Sequence, residues 1–139
     1  MSPAESLVEI CLAQCSACAT ACLALARRLS AEPADFAAGP RILRLLDCAQ
    51  ACELAIGFIG RSSALQEEVC AMCGEVCETC AETLAAAGGN DDCTRCCRRC
   101  ADVCFEVWSA AVGAAPVRGD EAGSAEDAEV LQFAEAATS

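Results

Sequence analysis

Apolar residues recur every three or four positions through most of this chain, and no stretch shows the period-two alternation of a half-buried strand. Glycine and proline divide the pattern into four long segments and a tail. The first covers residues 4–30, with Pro3 just before it and Glu5 in its first turn, where an acidic side chain suits the positive end of a helix dipole. Residues 30–40 hold Pro33, Gly39 and Pro40 and read as a loop with room for one short turn. The second segment covers 41–60, with Pro40 at its first turn and Gly60 at its end. The third covers 62–87: Ser63 followed by Gln66 has capping-box spacing, and Gly88-Gly89 stops the helix. Asn90 or Asp91 caps the fourth, which runs to Val112 before Gly113 and Pro116. Four helices of about 20 residues joined by short turns predict an all-α fold, an antiparallel up-down-up-down four-helix bundle over residues 1–113.

Cysteine occupies the apolar stripe of every segment. Cys11, Cys15, Cys18 and Cys22 lie on the first, and Cys48 and Cys52 on the second. Cys70, Cys73, Cys77 and Cys80 lie on the third, and Cys93, Cys96, Cys97, Cys100 and Cys104 on the fourth. At about 100° per residue the first group spans an arc of about 60°, the third about 80° and the fourth about 100°. Leu25 and Leu29 extend the first stripe and Leu84 the third, while Leu45, Ile56 and Ile59 flank the second pair. Each helix thus has one buried face made mainly of sulfur, and the four faces meet in a Cys-lined core. One or two cysteines can serve as small core hydrophobes. A core built of thiols, however, packs no better than alanine, valine or leucine, and it is open to oxidation and stray metals. Fifteen on core faces point to metal chemistry.

Composition narrows the chemistry. A length of 139 residues allows one compact domain. The chain has no His, which excludes imidazole catalysis and His-ligated metals, and no Tyr. Aromatic residues make up only 4%, too few for base-stacking platforms. The formal charge of −12 argues against nucleic acid or an anionic membrane as a partner. An odd number of cysteines cannot be fully bridged in a monomer, and they sit in Ala-rich helical surroundings rather than in loops, unlike a secreted disulfide scaffold. The N-terminal stretch has neither a basic n-region nor an uninterrupted apolar h-region, and apolar runs fall short of about 20 residues, so no membrane span is expected. The expected location is cytoplasmic, with the thiols reduced.

Charge decides among metals. Zinc takes four thiolates in a tetrahedron, and each such unit leaves two net negative charges, so several buried together are expensive to desolvate. Iron–sulfur clusters take thiolates from loops that wrap the cluster, which stiff helices cannot do. Cuprous ion is soft, prefers thiolate and accepts two or three ligands. Because it is monovalent, one Cu(I) per thiolate leaves the core neutral. The expected function is therefore storage of multiple Cu(I) ions, with no reaction to catalyse. A metallochaperone would expose a single site, and a thioredoxin-type enzyme would need strands beside its CxxC. Two alternatives share the ligand set: a general thiolate buffer for Zn or Cd, and an iron–sulfur electron carrier.

The segments CLAQCSACATACLALA, DCAQACELA, CAMCGEVCETCAE and CTRCCRRCADVC resemble the Cys-rich four-helix-bundle copper storage proteins of bacteria, over residues 7–112. The resemblance implies cysteines lining the bundle interior, many bound Cu(I) ions, a homotetramer and, without a signal peptide, a cytosolic location. Relatives often carry His, sometimes Met, at one open end of the bundle where copper is thought to pass in. Here the matching turn, residues 88–92, has no His.

Three further expectations concern the periphery. Asp91 and Asp92 read as a cap and a first-turn charge, which makes Cys93 the outermost thiol, passing copper on to Cys96 and Cys97. Met72 lies about 200° from Cys70 and should point away from the core. Val8, Phe58, Leu65, Val107 and Trp108 should plug the opposite end, and Arg95, Arg98 and Arg99 should line the outer side of the fourth helix. Residues 114–139 form an acidic, Ala/Gly-rich tail, in which 126–137 can form a weak helix carrying Val130, Leu131 and Phe133.

Overall fold

The computed structural model contains four α-helices, α1 (Pro3–Ala31), α2 (Ala38–Gly60), α3 (Gln66–Ala86) and α4 (Asp92–Val112). It describes residues 3–32, 38–89 and 91–113, and no strand occurs among them. The expected turn within 33–37, a cap at Asn90, the side chain of Glu5 and the tail helix at 126–137 lie outside the described residues.

Sulfur contacts fix the topology. Cys11 meets Cys104 at 3.7 Å and Cys22 meets Cys93 at 3.8 Å, so α4 descends as α1 rises. Cys48 meets Cys77 at 3.4 Å and Cys52 meets Cys73 at 3.8 Å, so α3 runs against α2. Across the diagonal, Cys48 meets Cys97 at 3.9 Å and Cys52 meets Cys100 at 3.8 Å, so α2 and α4 run the same way. These three relations leave only the up-down-up-down bundle predicted from the short turns. α1 and α3 each pack against α2 and α4.

The helix ends follow local chemistry. The Asp91 carboxylate accepts hydrogen bonds from the Thr94 N–H at 2.9 Å and the Thr94 hydroxyl at 3.0 Å, satisfying first-turn groups that would otherwise be orphaned. α3 ends where Gly88 turns left-handed (φ 84°) and the Gly89 N–H reaches back to the Leu84 carbonyl at 2.8 Å. α2 begins at Ala38, so Pro40 sits within the first turn, where no amide donor is required. The Ser63 capping box does not form. The Ser63 hydroxyl accepts instead from the Leu65 N–H at 3.1 Å in a local turn, Ser62 is left-handed, and α3 starts only at Gln66.

Between the cysteines the core is filled by Ala19, Ala26, Ala49, Ala51, Ala55, Ala81 and Ala101, whose small side chains let the helices approach closely. The ends differ from expectation. Ile59 and Val107 are the buried residues that close the end opposite Cys93, with Val8 packed against them, whereas Leu65 is 57% exposed. Phe58 is half-buried and carries the Arg61 guanidinium 4.4 Å above its ring, and Trp108 is only partly buried. Met72 does not point away from the core: with Val69 and Val76, at helical spacing, it packs against the core's edge.

α1 also corrects the reading of apolar run length. Ser6–Ala31 has a mean hydropathy of 1.7 and is long and apolar enough, by length and composition alone, to cross a membrane. Alanine and cysteine supply that hydropathy, and no charge falls between Glu9 and Arg27. One face of the helix is the cysteine stripe, buried in the bundle.

Candidate metal centre

The helical spacing turns fourteen of the fifteen cysteines fully into the bundle, and every cysteine is a free thiol. Along the bundle axis they form a ladder of levels. Cys15, Cys52, Cys73 and Cys100 bring their sulfurs within 4.8 Å of one another, one from each helix. The next level comprises two overlapping groups of the same compactness: Cys18, Cys22, Cys48 and Cys97, and Cys18, Cys48, Cys52 and Cys77. Cys11, Cys15 and Cys104 make a third level toward the Ile59 end. Cys70 lies near Cys104 and Cys11 there, and Cys80 near Cys22 and Cys97 at the other end.

The groups share members. Cys15, Cys18, Cys48 and Cys52 each belong to two, so the levels are continuous rather than separate cages. α2 contributes only two thiols, and its stripe continues as buried Leu45 on one side and Ala55 and Ile59 on the other. Both outer levels therefore draw their sulfurs from α1, α3 and α4, with apolar α2 side chains on the remaining side.

Hydrogen bonds among the thiols join the helices across the core. Hydrogen bonds from Cys100 first, and from other thiols, hold Cys18 and Cys73 well below the usual thiol range, while the same neighbour pushes Cys52 above it. At the Cys93 end, hydrogen bonds from Cys22 and then Cys97 hold Cys93 down to about 5. Burial, and then the charges of Cys18 and Cys93, push Cys96 up to about 11.

Cys96 departs from the expected arrangement. It is the one partly exposed cysteine, at the edge of the stripe, and the Gln14 amide of α1 donates to both its carbonyl oxygen and its sulfur at 3.4 Å. Cys93 is only 4% exposed and meets Cys22, so it is not the outermost thiol. The 100° arc of the fourth group already hinted at an off-axis member, but only the packing of α1 identifies which one. Gln14 carried no signal in the sequence. Arg95, Arg98 and Arg99 lie on the exposed side of α4 as expected, with Arg95 paired to Asp92 and Arg99 favouring the thiolate of Cys96.

Stacked, interconnected groups of soft thiols inside four stiff helices define a protein that holds soft metal ions in number. The comparisons give that class its family. The sequence profile of the copper storage proteins matches residues 4–109, and the chain belongs to this family. It is 29% identical over 103 residues to the uncharacterized cysteine-rich protein YhjQ of Bacillus subtilis (strain 168), covering 72% of this chain and 94% of that one. The Cu(I)-bound copper storage protein BsCsp3 superposes with a TM-score of 0.66 at 26% identity, over 73% of this chain and 97% of that one. A protein of Nitrosospira multiformis shares the fold, with a TM-score of 0.70 at 23% identity, over 76% of this chain and 98% of that one.

Proposed function

We propose that this protein stores Cu(I) on the thiolates of the bundle interior and has no reaction to catalyse. The observation that carries the reading is the continuity of the sulfur groups, in which Cys15, Cys18, Cys48 and Cys52 each serve two. Shared thiolates suit an ion that accepts two or three ligands and is bridged to the next. The ligands are Cys11, Cys15, Cys18 and Cys22 of α1, Cys48 and Cys52 of α2, Cys70, Cys73, Cys77 and Cys80 of α3, and Cys93, Cys96, Cys97, Cys100 and Cys104 of α4. Each ion replaces a thiol proton, so charge in the core does not accumulate. Divalent zinc in the same levels leaves net negative charge buried at every tetrad.

The setting follows from the same features. Fifteen free thiols persist only in a reducing compartment, which supports a cytoplasmic store. A charge of −12 supports a protein that works away from nucleic acid and anionic membranes. Assembly into a homotetramer is supported by Leu43, Leu46 and Leu54, exposed within an arc of about 80° on the side of α2 opposite its cysteines. Residues 114–139 form an acidic tail outside the bundle domain of 1–113.

Elemental analysis tests the proposal. Reduced protein incubated with excess Cu(I) and passed through gel filtration should carry on the order of ten or more copper ions per chain. A single ion would make it a carrier instead, and copurifying iron with visible charge-transfer bands would favour an electron-transfer protein.

A further inference from the structure

Among the described residues, buried apolar side chains close both bundle ends. Ile59 and Val107 are 3% and 5% exposed at one end, and Leu84, Ala26 and Leu45 are buried at the other, beyond Cys93. Cys93, the thiol nearest that end, is only 4% exposed. The partly exposed cysteine, Cys96, lies on the side wall.

The wall around Cys96 is the seam between α1 and α4. In the antiparallel pairing of α1 and α4, Leu7, Gln14 and Ala21 recur at seven-residue spacing on α1, facing Cys96 and Val103 at the same spacing on α4. Leu7 and Val103 pack against the core and seal one half of the seam. Cys96 itself is covered by the Gln14 amide, whose hydrogen bonds to it are long, at 3.4 Å. Behind it lies Cys18, close enough for its charge to push the Cys96 thiol up, and Cys18 stands 3.7 Å from both Cys97 and Cys48. The neighbouring α3–α4 seam is plugged by the Phe105 ring seated against Gly74.

We propose that Cu(I) enters and leaves through the α1–α4 seam, taken first by Cys96 and passed to Cys18 and Cys97, with the Gln14 side chain as the movable cover. This rests on the reading of the protein as a Cu(I) store and adds the route to the store. Uptake is ligand exchange without electron transfer. The donor's bond to copper breaks as the Cys96 sulfur bonds it and the Cys96 proton goes to water. Transfer inward forms a bond to the Cys18 sulfur as the Cys96–copper bond breaks, and Cys96 takes back a proton from the hydrogen-bonded thiols around Cys18. Each ion thus releases one net proton, and Cys96 is restored for the next.

Stopped-flow transfer from a chromophoric Cu(I)–chelator complex to the reduced full-length chain tests the route, with capacity measured separately at equilibrium. Cys96→Ser should slow loading about tenfold or more while lowering capacity by no more than one ion. Gln14→Leu, which keeps every thiol, should also slow loading and leave capacity unchanged. Cys93→Ser, which removes one ligand at the bundle end, should slow loading far less than Cys96→Ser. Unaltered rates in both seam variants would overturn the route, as would slowing by Cys93→Ser alone, which would place loading at the bundle end. A parent protein that binds only one ion would overturn the storage reading instead, a result the equilibrium capacity reports independently of rate.

Discussion

Gly74 of α3 lies against the ring of Phe105 of α4: a methyl group at position 74 would stand 2.7 Å from the ring's Cε1. Glycine inside a helix is disfavoured by about 1 kcal/mol relative to alanine, so this position gives up helix propensity to let the ring close the seam. Gly74→Ala should therefore destabilise the reduced, metal-free protein by about 1–2 kcal/mol, overpacking outweighing the propensity gain. Urea denaturation measures it, and adding Phe105→Leu should recover part of the loss. A more stable single variant would mean the ring moves aside without cost.

The cap at Asp91 gives a pH-dependent prediction. Burial opposes its ionisation, but hydrogen bonds from the Thr94 amide and hydroxyl outweigh burial and hold the carboxyl below its usual range. A carboxyl depressed in the folded state adds stability above its unfolded pKa and loses it as pH falls through the folded value. Asp91→Ala should cost about 1 kcal/mol at neutral pH and progressively less in acid. Thermal unfolding of parent and variant from pH 7 to pH 2 should show the two curves converging. A gap that stays constant would assign the loss to packing.

Much of this arrangement was legible in the chain because a helical period and a cysteine count say the same thing. The three-and-four spacing places Cys15, Cys52, Cys73 and Cys100 on inward faces, and short turns then force the antiparallel order in which they meet. What the sequence withheld depends on partners from other helices. Cys96 differs from Cys97 by one step of helix rotation, and only the neighbouring α1 face decides which of them is partly exposed. Leu65 and Trp108 look like an end plug by composition, yet Ile59 and Val107 take the buried places. Ser63 matches a capping box by spacing, but its hydroxyl is used one turn earlier.

Asp91 caps α4, and alanine, leucine and isoleucine pack between the thiols, so the bundle has an apolar core before metal arrives. Reduced, metal-free protein should be strongly helical by circular dichroism and change little on copper loading, unlike domains that fold only around their metal. A coil spectrum that becomes helical with Cu(I) would contradict this.

Metal preference follows from charge. Loaded with Cu(I), the protein should keep its copper against a strong chelator, and loaded with Zn²⁺ it should surrender the zinc. Equal retention of the two ions, measured by elemental analysis after gel filtration, would favour a general thiolate buffer.

The central claim is that copper replaces protons one for one along a continuous sulfur ladder. Titration of the reduced chain with a weakly held Cu(I) complex, in a lightly buffered solution with a pH indicator, reads ions bound and protons released together. The account predicts about one proton per copper, continuing to the order of one ion for each of the fourteen buried cysteines. A titration that ends after one or two ions, or that releases two protons for each, would contradict it.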